Sequence, residues 1–176
     1  MLRVFLLDDH EVVRAGLRGL LEAAEEITVV GEAGTAEEAI RRVPAVRPDV
    51  AVLDVRLPDG DGVEVCRELR SRMPELRCLM LTSFADDEAL FAAIMGGASG
   101  YVLKQIRGTD LVTAVQRVGR GESLIDPTLT DRVLERLRSG PKQDERLARL
   151  SEQERRILDL LAEGLTNRQI AERLYL

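Results

Sequence analysis

The chain has 176 residues, of which 45% are hydrophobic and 32% charged, enough apolar material for a buried core, and this composition excludes a disordered or collagen-like protein. Its net charge of −6 falls entirely within residues 1–119, where 14 Lys and Arg stand against 20 Asp and Glu, unlike the basic face of a nucleic-acid-binding domain. No apolar run is long enough for a signal peptide or a membrane span, so we expect a protein of the reducing cytoplasm with no membrane partner.

Five short apolar runs recur along residues 1–119, each closed by a polar residue or a glycine. The closing positions lie 22 to 28 residues apart, which is the spacing that a strand and a returning helix require. Because the runs are continuous rather than alternating, they are typical of a parallel sheet covered on both faces. The runs are residues 4–7, 28–30, 50–53, 78–81 and 101–103.

Segments of helical periodicity separate these strands. Thr35 and Glu38 form a capping-box pair before the second helix, and the acidic residues 86–88 stand at the start of the fourth, where the helix dipole favours negative charge. A fifth helix is expected after Thr109. The apolar residues at helical spacing are Val13, Leu17, Leu20 and Leu21 in the first helix, Ala36, Ala39, Ile40 and Val43 in the second, Cys66, Leu69 and Met73 in the third, and Leu111, Val115 and Val118 in the fifth.

Five strand–helix units joined by right-handed crossovers predict an α/β protein with a doubly wound, five-stranded parallel sheet. Ligands of such sheets bind beyond the carboxyl ends of the strands, where the strand order reverses. The polar residues that close the strands therefore converge on one rim of the sheet. They are Asp8, Asp9, Asp54, Thr82 and Lys104.

Three carboxylates on one rim repel each other. At about 5 Å and an effective dielectric constant near 20, each pair costs on the order of 3 kcal/mol. Because the single ammonium of Lys104 cannot neutralise three acids, we expect a hard divalent cation, Mg²⁺, in an oxygen-rich shell. Asp54, at the end of the central strand, can also act as a nucleophile that forms an acyl phosphate, with Thr82 and Lys104 placed for the phosphoryl oxygens.

Other roles for these residues stay open. Asp8 and Asp9 could cap the first helix, and Thr82 could simply end a strand. His10 is the only histidine, and we expect it at the start of the first helix rather than in catalysis. The two cysteines match no metal-ligand spacing, so they are expected to be buried free thiols.

The pattern changes after residue 119. Asp126 and Pro127 form a helix start, an N-cap followed by proline at the first position, within a linker predicted for residues 121–150. Residues 151–154 form a capping box before a helix that Gly164 ends, and residues 166–169 open another helix. Because two short helices rarely make an independent core, we expect residues 151–176 to be loosely held, or to lean on the first part of the chain or on a second chain.

Four strings carry a resemblance to a known family. Asp8-Asp9, residues 54–62 (Asp-Val-Arg-Leu-Pro-Asp-Gly-Asp-Gly), residues 81–83 (Leu-Thr-Ser) and residues 97–104 (Gly-Ala-Ser-Gly-Tyr-Val-Leu-Lys) resemble the flavodoxin-like receiver domain of bacterial two-component response regulators, over residues 1–120. Residues 8–14 and 164–167 are similar to the NarL/FixJ group, which has a LuxR-type helix-turn-helix output domain. Residues 151–176 resemble the first two helices of that all-α domain, without the recognition helix.

The resemblance implies a phosphoryl-accepting site. Asp54 would be the phosphoacceptor, with a sensor histidine kinase as donor. Mg²⁺ would be held by Asp9, by Asp54 and by the backbone carbonyl of Arg56, and by Asp8 through water.

Three further positions take roles from the same family. Thr82 and Lys104 would bind the phosphoryl group, and Tyr101 would be the switch aromatic that turns inward, with core packing as its alternative role. Gln105 follows Lys104 where many receivers have proline in a cis peptide, so the isomer of this bond stays open.

The leading prediction is a phosphorylation-controlled regulator of transcription that forms a homodimer and is not an enzyme. Promoter DNA is the expected partner of the full-length protein, with weak or no binding by this chain because a recognition helix supplies the base contacts. The alternative is a stand-alone receiver that pairs with an intact regulator and inhibits it. A phosphatase is disfavoured because Arg56, not an acid, stands two residues after Asp54, and no phosphate-binding loop ends in Gly-Lys-Ser/Thr.

Overall fold

The computed structural model describes residues 1–83, residues 87–125 and isolated positions after residue 130. The chain forms two compact units, Met1–Pro127 and Thr128–Leu176, and all the strands and helices given below belong to the first unit. Most of the predicted linker helix and of the two predicted helix-turn-helix helices lies outside the described residues. In the part of the chain that is described, no helix is both long and apolar enough to cross a membrane.

Strands and helices alternate along the first unit. In chain order they are β1 (Leu2–Leu7), α1 (Glu11–Glu22), β2 (Ile27–Ala33), α2 (Ala36–Val46), β3 (Val50–Asp54), β4 (Arg56–Leu57), β5 (Gly60–Asp61), α3 (Gly62–Arg72), β6 (Arg77–Thr82), α4 (Asp87–Met95), β7 (Gly100–Leu103) and α5 (Gly108–Gly119). The short antiparallel hairpin of β4 and β5 was not predicted from the sequence.

The main sheet is parallel, with the strand order β2-β1-β3-β6-β7, which confirms the doubly wound, five-stranded α/β fold. The order reverses between β1 and β3, so the crevice for a ligand lies beyond the carboxyl ends of these two strands. Leu7 of β1 is in register with Leu53 of β3, and Asp54 is in register with Leu81 of β6. The residues that close β1, β3 and β6 therefore meet at the same edge of the sheet.

Both faces of the sheet are buried, which explains why its strands are apolar without alternation. One face packs against α2, α3 and α4, and the other packs against α1 and α5. The strands alternate between the two cores: Phe5, Leu7, Leu53 and Met80 point to the first, and Val4, Leu6, Val52 and Leu79 point to the second.

Helix α2 begins with the predicted capping box, and a second acid reinforces it. Thr35 Oγ1 accepts the Glu38 N–H at 3.2 Å, and the Glu38 carboxylate accepts a backbone N–H from Gly34, also at 3.2 Å. Asp59, in the loop between β4 and β5, accepts the backbone N–H groups of Ala36 and Glu37 at 2.8 and 3.1 Å. The loop that follows Asp54 is thereby tied to the start of α2.

Three details differ from the sequence predictions. β2 continues past Gly31, because the missing side chain leaves room for the Phe5 ring, which would lie 2.8 Å from a Cβ at position 31. α5 begins at Gly108 rather than after Thr109. Val13 and Leu20, predicted in the apolar stripe of α1, are 37% and 46% exposed.

Candidate functional site

The carboxyl rim of the sheet brings the five predicted residues together. Asp8 and Asp9 follow β1, Asp54 ends β3, Thr82 ends β6, and Lys104 follows β7. Within the described part of the chain, the buried polar or charged side chains are Asp8, Asp54 and Thr82, which are 1%, 6% and 4% exposed. The buried polar groups of the described residues are thus concentrated at this one place.

Lys104 links two of the carboxylates. Its Nζ lies 2.8 Å from Asp8 Oδ2 and 2.9 Å from Asp54 Oδ2. Its backbone N–H donates to the Thr82 carbonyl at 2.7 Å, which holds the start of the loop after β7 beside the end of β6. The Lys104 side chain is only 16% exposed, so little water screens this pair of ionic contacts.

The charges at the rim do not balance. Burial raises the pKa of Asp54, and the nearby Asp8 charge raises it further, against the lowering effect of Lys104 and of the Arg56 backbone N–H. Burial alone would lower the pKa of Lys104, but the two carboxylates outweigh it and the pKa is raised. By formal charge, three carboxylates stand against one ammonium at the rim, an excess of negative charge that Lys104 alone does not neutralise.

Asp8 is fixed by contacts on both its side chain and its backbone. Its Oδ1 accepts the backbone N–H of His10 at 2.8 Å, and its carbonyl oxygen accepts Arg14 Nη1 at 2.6 Å. Asp8 therefore orders the residue that precedes α1 and also faces Lys104. It does not cap the helix, because the N-cap residue is His10 and the backbone N–H that the Asp8 side chain accepts is that of His10. Arg14 was not predicted as a site residue, although it belongs to the string of residues 8–14 that carries the family resemblance.

The chain doubles back over Asp54 directly after leaving β3. The Gly62 N–H donates to the Val55 carbonyl at 2.7 Å, and a Cβ at position 62 would lie 1.8 Å from the Asp54 carbonyl oxygen. Asp61 accepts the Val63 N–H at 2.7 Å and so starts α3 at this point. Only glycine fits at position 62 without moving the backbone of Asp54.

The acidic cluster has the donors that a divalent cation needs. Asp8, Asp9, His10 and Asp54 each offer one ligand atom, and these atoms all lie within 4.8 Å of one another. Among the described residues, Asp8 Oδ2 accepts no well-aligned hydrogen bond, although the Lys104 ammonium lies beside it. Carboxylate oxygens with open positions fit Mg²⁺, so the residues present agree with the predicted ion.

The remaining predicted residues lie at the edge of the site or in the core. Tyr101, on β7 in register with Met80, is partly buried against the core on the α2–α4 face. The Lys104–Gln105 peptide is trans. Cys66 and Cys78 are buried free cysteines, as predicted.

Two families match the chain by sequence. The response regulator receiver domain matches residues 4–116, and the luxR family of bacterial regulatory proteins matches residues 148–176.

Individual relatives agree with both matches. The chain is 58% identical over 176 residues to the DNA-binding transcriptional activator DevR/DosR of Mycobacterium tuberculosis, covering 100% of this chain and 81% of the relative. It is 35% identical over 170 residues to the response regulator protein VraR of Staphylococcus aureus, covering 97% of this chain and 80% of that protein.

Solved structures show the same fold. The signal receiver domain of a response regulator NarL from Mycobacterium tuberculosis has a TM-score of 0.67 at 34% identity, over 69% of this chain and 98% of that chain. The RcsB response regulator of Salmonella typhimurium has a TM-score of 0.71 at 30% identity, over 99% of this chain and 84% of that chain.

Proposed function

The chain belongs to the response regulators of two-component systems, with a receiver domain and a LuxR-type region, and we propose that its acidic rim accepts a phosphoryl group on Asp54. Membership of this family implies that a kinase is a partner and that the LuxR-type region binds DNA. Its relatives are transcriptional regulators rather than enzymes, in agreement with the prediction from the sequence.

The observation that carries the proposal is the placement of Asp54. It ends the central strand at the point where strand order reverses, 6% exposed, with Lys104 Nζ 2.9 Å from one carboxylate oxygen. Ligand atoms of Asp8 and Asp9 lie within 4.8 Å of it. A buried nucleophile beside a cation and a set of metal ligands is the arrangement that phosphoryl transfer requires.

Each side chain has a separate task in this proposal. The Asp54 carboxylate attacks phosphorus, an O–P bond forms, and the P–N bond to the histidine of the kinase breaks. Lys104, already between two carboxylates, neutralises a phosphoryl oxygen, and the Thr82 hydroxyl donates to another. Mg²⁺, held by Asp8, Asp9, Asp54 and the Arg56 carbonyl, supplies charge neutralisation when it is bound.

The output of the switch is part of the same proposal. Thr82 and Tyr101 carry the change from the site to the surface near α4 and β7, and the phosphorylated chain pairs as a homodimer. Sedimentation velocity with and without beryllium fluoride and Mg²⁺ tests this step. A shift from monomer to dimer is expected, and an unchanged sedimentation coefficient would count against it.

Beryllium fluoride, which mimics a phosphoryl group, tests the assignment of Asp54. With Mg²⁺ it should shift the backbone amide resonances of Asp54, Thr82 and Tyr101 in the wild type and leave an Asp54→Asn variant unchanged. Asp59→Asn is the matched control, because Asp59 is an exposed carboxylate in the loop after β3 that caps α2, and this variant should still respond. An unresponsive wild type, or a responsive Asp54→Asn variant, would refute the assignment.

A further inference from the structure

Two thiols from separate elements meet in the core on the α2–α4 face of the sheet. Cys66 on α3 and Cys78 on β6 are free cysteines, and both are fully buried. The Cys78 thiol donates a hydrogen bond to the Cys66 sulfur. The Cys66 thiol in turn donates to the carbonyl oxygen of Gly96, directly after α4, at 3.6 Å. The two sulfur atoms are therefore adjacent, in a place that the proposed function does not use.

The two thiols are not chemically equivalent. The hydrogen bond from Cys78 and the nearby charges of Arg70 and Arg67 lower the pKa of Cys66, against the opposing effect of burial. The hydrogen bond to Cys66 and burial raise the pKa of Cys78. Because the thiolate is the attacking species in thiol chemistry, Cys66 is the nucleophile of the pair and Cys78 is the thiol that resolves its oxidised form.

One turn covers the pair. Residues 96–99 join α4 to β7, and this turn rests on both cysteines. The Cys66 thiol donates to Gly96, and the Ser99 N–H donates to the Cys78 carbonyl at 2.8 Å. Turns open locally at a lower free energy than the strands beneath them, so opening of this turn gives a small oxidant access to the buried sulfurs.

We propose that Cys66 and Cys78 are an oxidation-sensitive pair, which hydrogen peroxide converts into an intramolecular disulfide, and that this reaction loosens the turn after α4. The Cys66 thiolate attacks one peroxide oxygen: an S–O bond forms, the O–O bond breaks, and the other oxygen takes up a proton and leaves as water. Cys78 then attacks the sulfenic acid, so that the S–S bond forms, the S–O bond breaks and a second water leaves. The two thiols together lose two electrons, which the peroxide gains.

The disulfide removes a hydrogen bond from the turn. Neither sulfur carries a hydrogen after oxidation, so Cys66 no longer donates to the Gly96 carbonyl. The backbone N–H groups of residues 96–98 close the end of α4. We expect their exchange with solvent to become roughly 2-fold to 10-fold faster on oxidation, the factor that the loss of one hydrogen bond produces.

Peptide mass spectrometry of the full chain tests the disulfide. The folded protein is treated with hydrogen peroxide, the remaining thiols are alkylated under denaturing conditions, and the chain is digested with trypsin. Four arginines stand between the two cysteines, so the disulfide joins two separate peptides, residues 57–67 and residues 78–104. We expect the two peptides to be linked after peroxide treatment and to be released by dithiothreitol.

Three controls make the outcome decisive. Met95, which is 54% exposed and lies in the same peptide as Cys78, reports that the peroxide has acted. Cys78→Ala should leave Cys66 to proceed to a sulfinic or sulfonic acid without a link. Asp54→Asn should form the link as the wild type does, which separates this inference from the proposed function.

Two results would overturn the inference. Oxidised Met95 together with two free thiols would show that the pair does not react in the folded chain, and disulfides between two chains would show that the sulfurs are not partners. Hydrogen-exchange mass spectrometry of the linked protein tests the effect on the turn. Unchanged or slower exchange at residues 96–98 would overturn the proposed loosening.

Discussion

The two faces of the sheet and its carboxyl rim are built in opposite ways. The faces bury apolar side chains from every strand against five helices, and this burial stabilises the fold. The rim buries two carboxylates and a threonine around one ammonium, and burial makes the charge on Asp54 unfavourable. The difference indicates that the rim is retained for its chemistry. The apolar faces provide the stability that offsets the unfavourable burial of charge at the rim.

The backbone contact between the two regions is the most sensitive point. Gly62→Ala should lower the free energy of unfolding by about 4 kcal/mol, above the usual cost of overpacking, because the new Cβ meets the Asp54 carbonyl at 1.8 Å and not a movable side chain. Denaturant titration measures the change.

A glycine away from the rim provides the control. Gly16, in α1, has no atom within 4 Å of its would-be Cβ, so Gly16→Ala should be neutral or stabilise the protein by up to about 1 kcal/mol. If both variants behave alike, the close approach of the chain to Asp54 does not limit the choice of residue at position 62.

A substitution in the apolar core should lower the stability of the protein without changing ion binding at the rim. Leu69, fully buried on α3, leaves a cavity when it is replaced, so Leu69→Ala should cost about 3 kcal/mol of stability. Its Mg²⁺ affinity, measured calorimetrically well below the melting temperature, should stay unchanged. A large loss of Mg²⁺ binding in this variant would show that the two regions are not independent.

Removing the buried charge at the rim should raise the stability of the protein, whereas the substitutions at Gly62 and Leu69 lower it. The raised pKa of Asp54 means that its ionised form is less favourable in the folded than in the unfolded chain, so stability falls as pH rises through its ionisation. Asp54→Asn should therefore raise the melting temperature at neutral pH by on the order of 3 °C, the shift that about 1 kcal/mol produces at this size. Mg²⁺ should reduce this difference in melting temperature, because it stabilises the wild type and not the variant. A lower melting temperature for the variant at neutral pH would contradict this sign.

The smallest effect is expected at Asp59, the acid that caps α2 from outside. The N–H groups of Ala36 and Glu37 lower the pKa of Asp59, so its contribution to stability is present above the unfolded-state pKa and is lost as pH falls through the lower folded-state pKa. Asp59→Asn should be slightly less stable than the wild type at pH 7, and the difference should vanish in acid. A difference that persists in acid would point to side-chain geometry instead of charge.

The sequence predicted the elements that depend on local pattern. Continuous apolar runs indicated the parallel strands, and the polar residues that close them indicated the rim, because the ends of parallel strands meet at one edge. The end of β2 was predicted wrongly, since Gly31 accommodates Phe5 from the neighbouring strand instead of ending its own. Periodicity carries no information about a contact made between strands.

The contacts that complete the site were not predictable for the same reason. The cap that Asp59 provides to α2 depends on two segments that meet only after folding. The hydrogen bond of Arg14 to the Asp8 carbonyl is local, but it depends on the direction of a long side chain, which the sequence pattern does not fix. The roles of all the site residues, including the inward turn of Tyr101 and the Mg²⁺-binding carbonyl of Arg56, stay predictions, because they concern the phosphorylated and the Mg²⁺-bound states.

Identification of the phosphorylated residue tests the central assignment most directly. The chain is incubated with Mg²⁺ and a small acyl phosphate donor, the product is reduced with borohydride, and the modified residue is located by peptide mass spectrometry. We expect the modification at Asp54 alone, since its carboxylate is the one that ends the central strand beside Lys104. Modification of a different carboxylate, or of none, would contradict the assignment of the rim as a phosphoryl-accepting site.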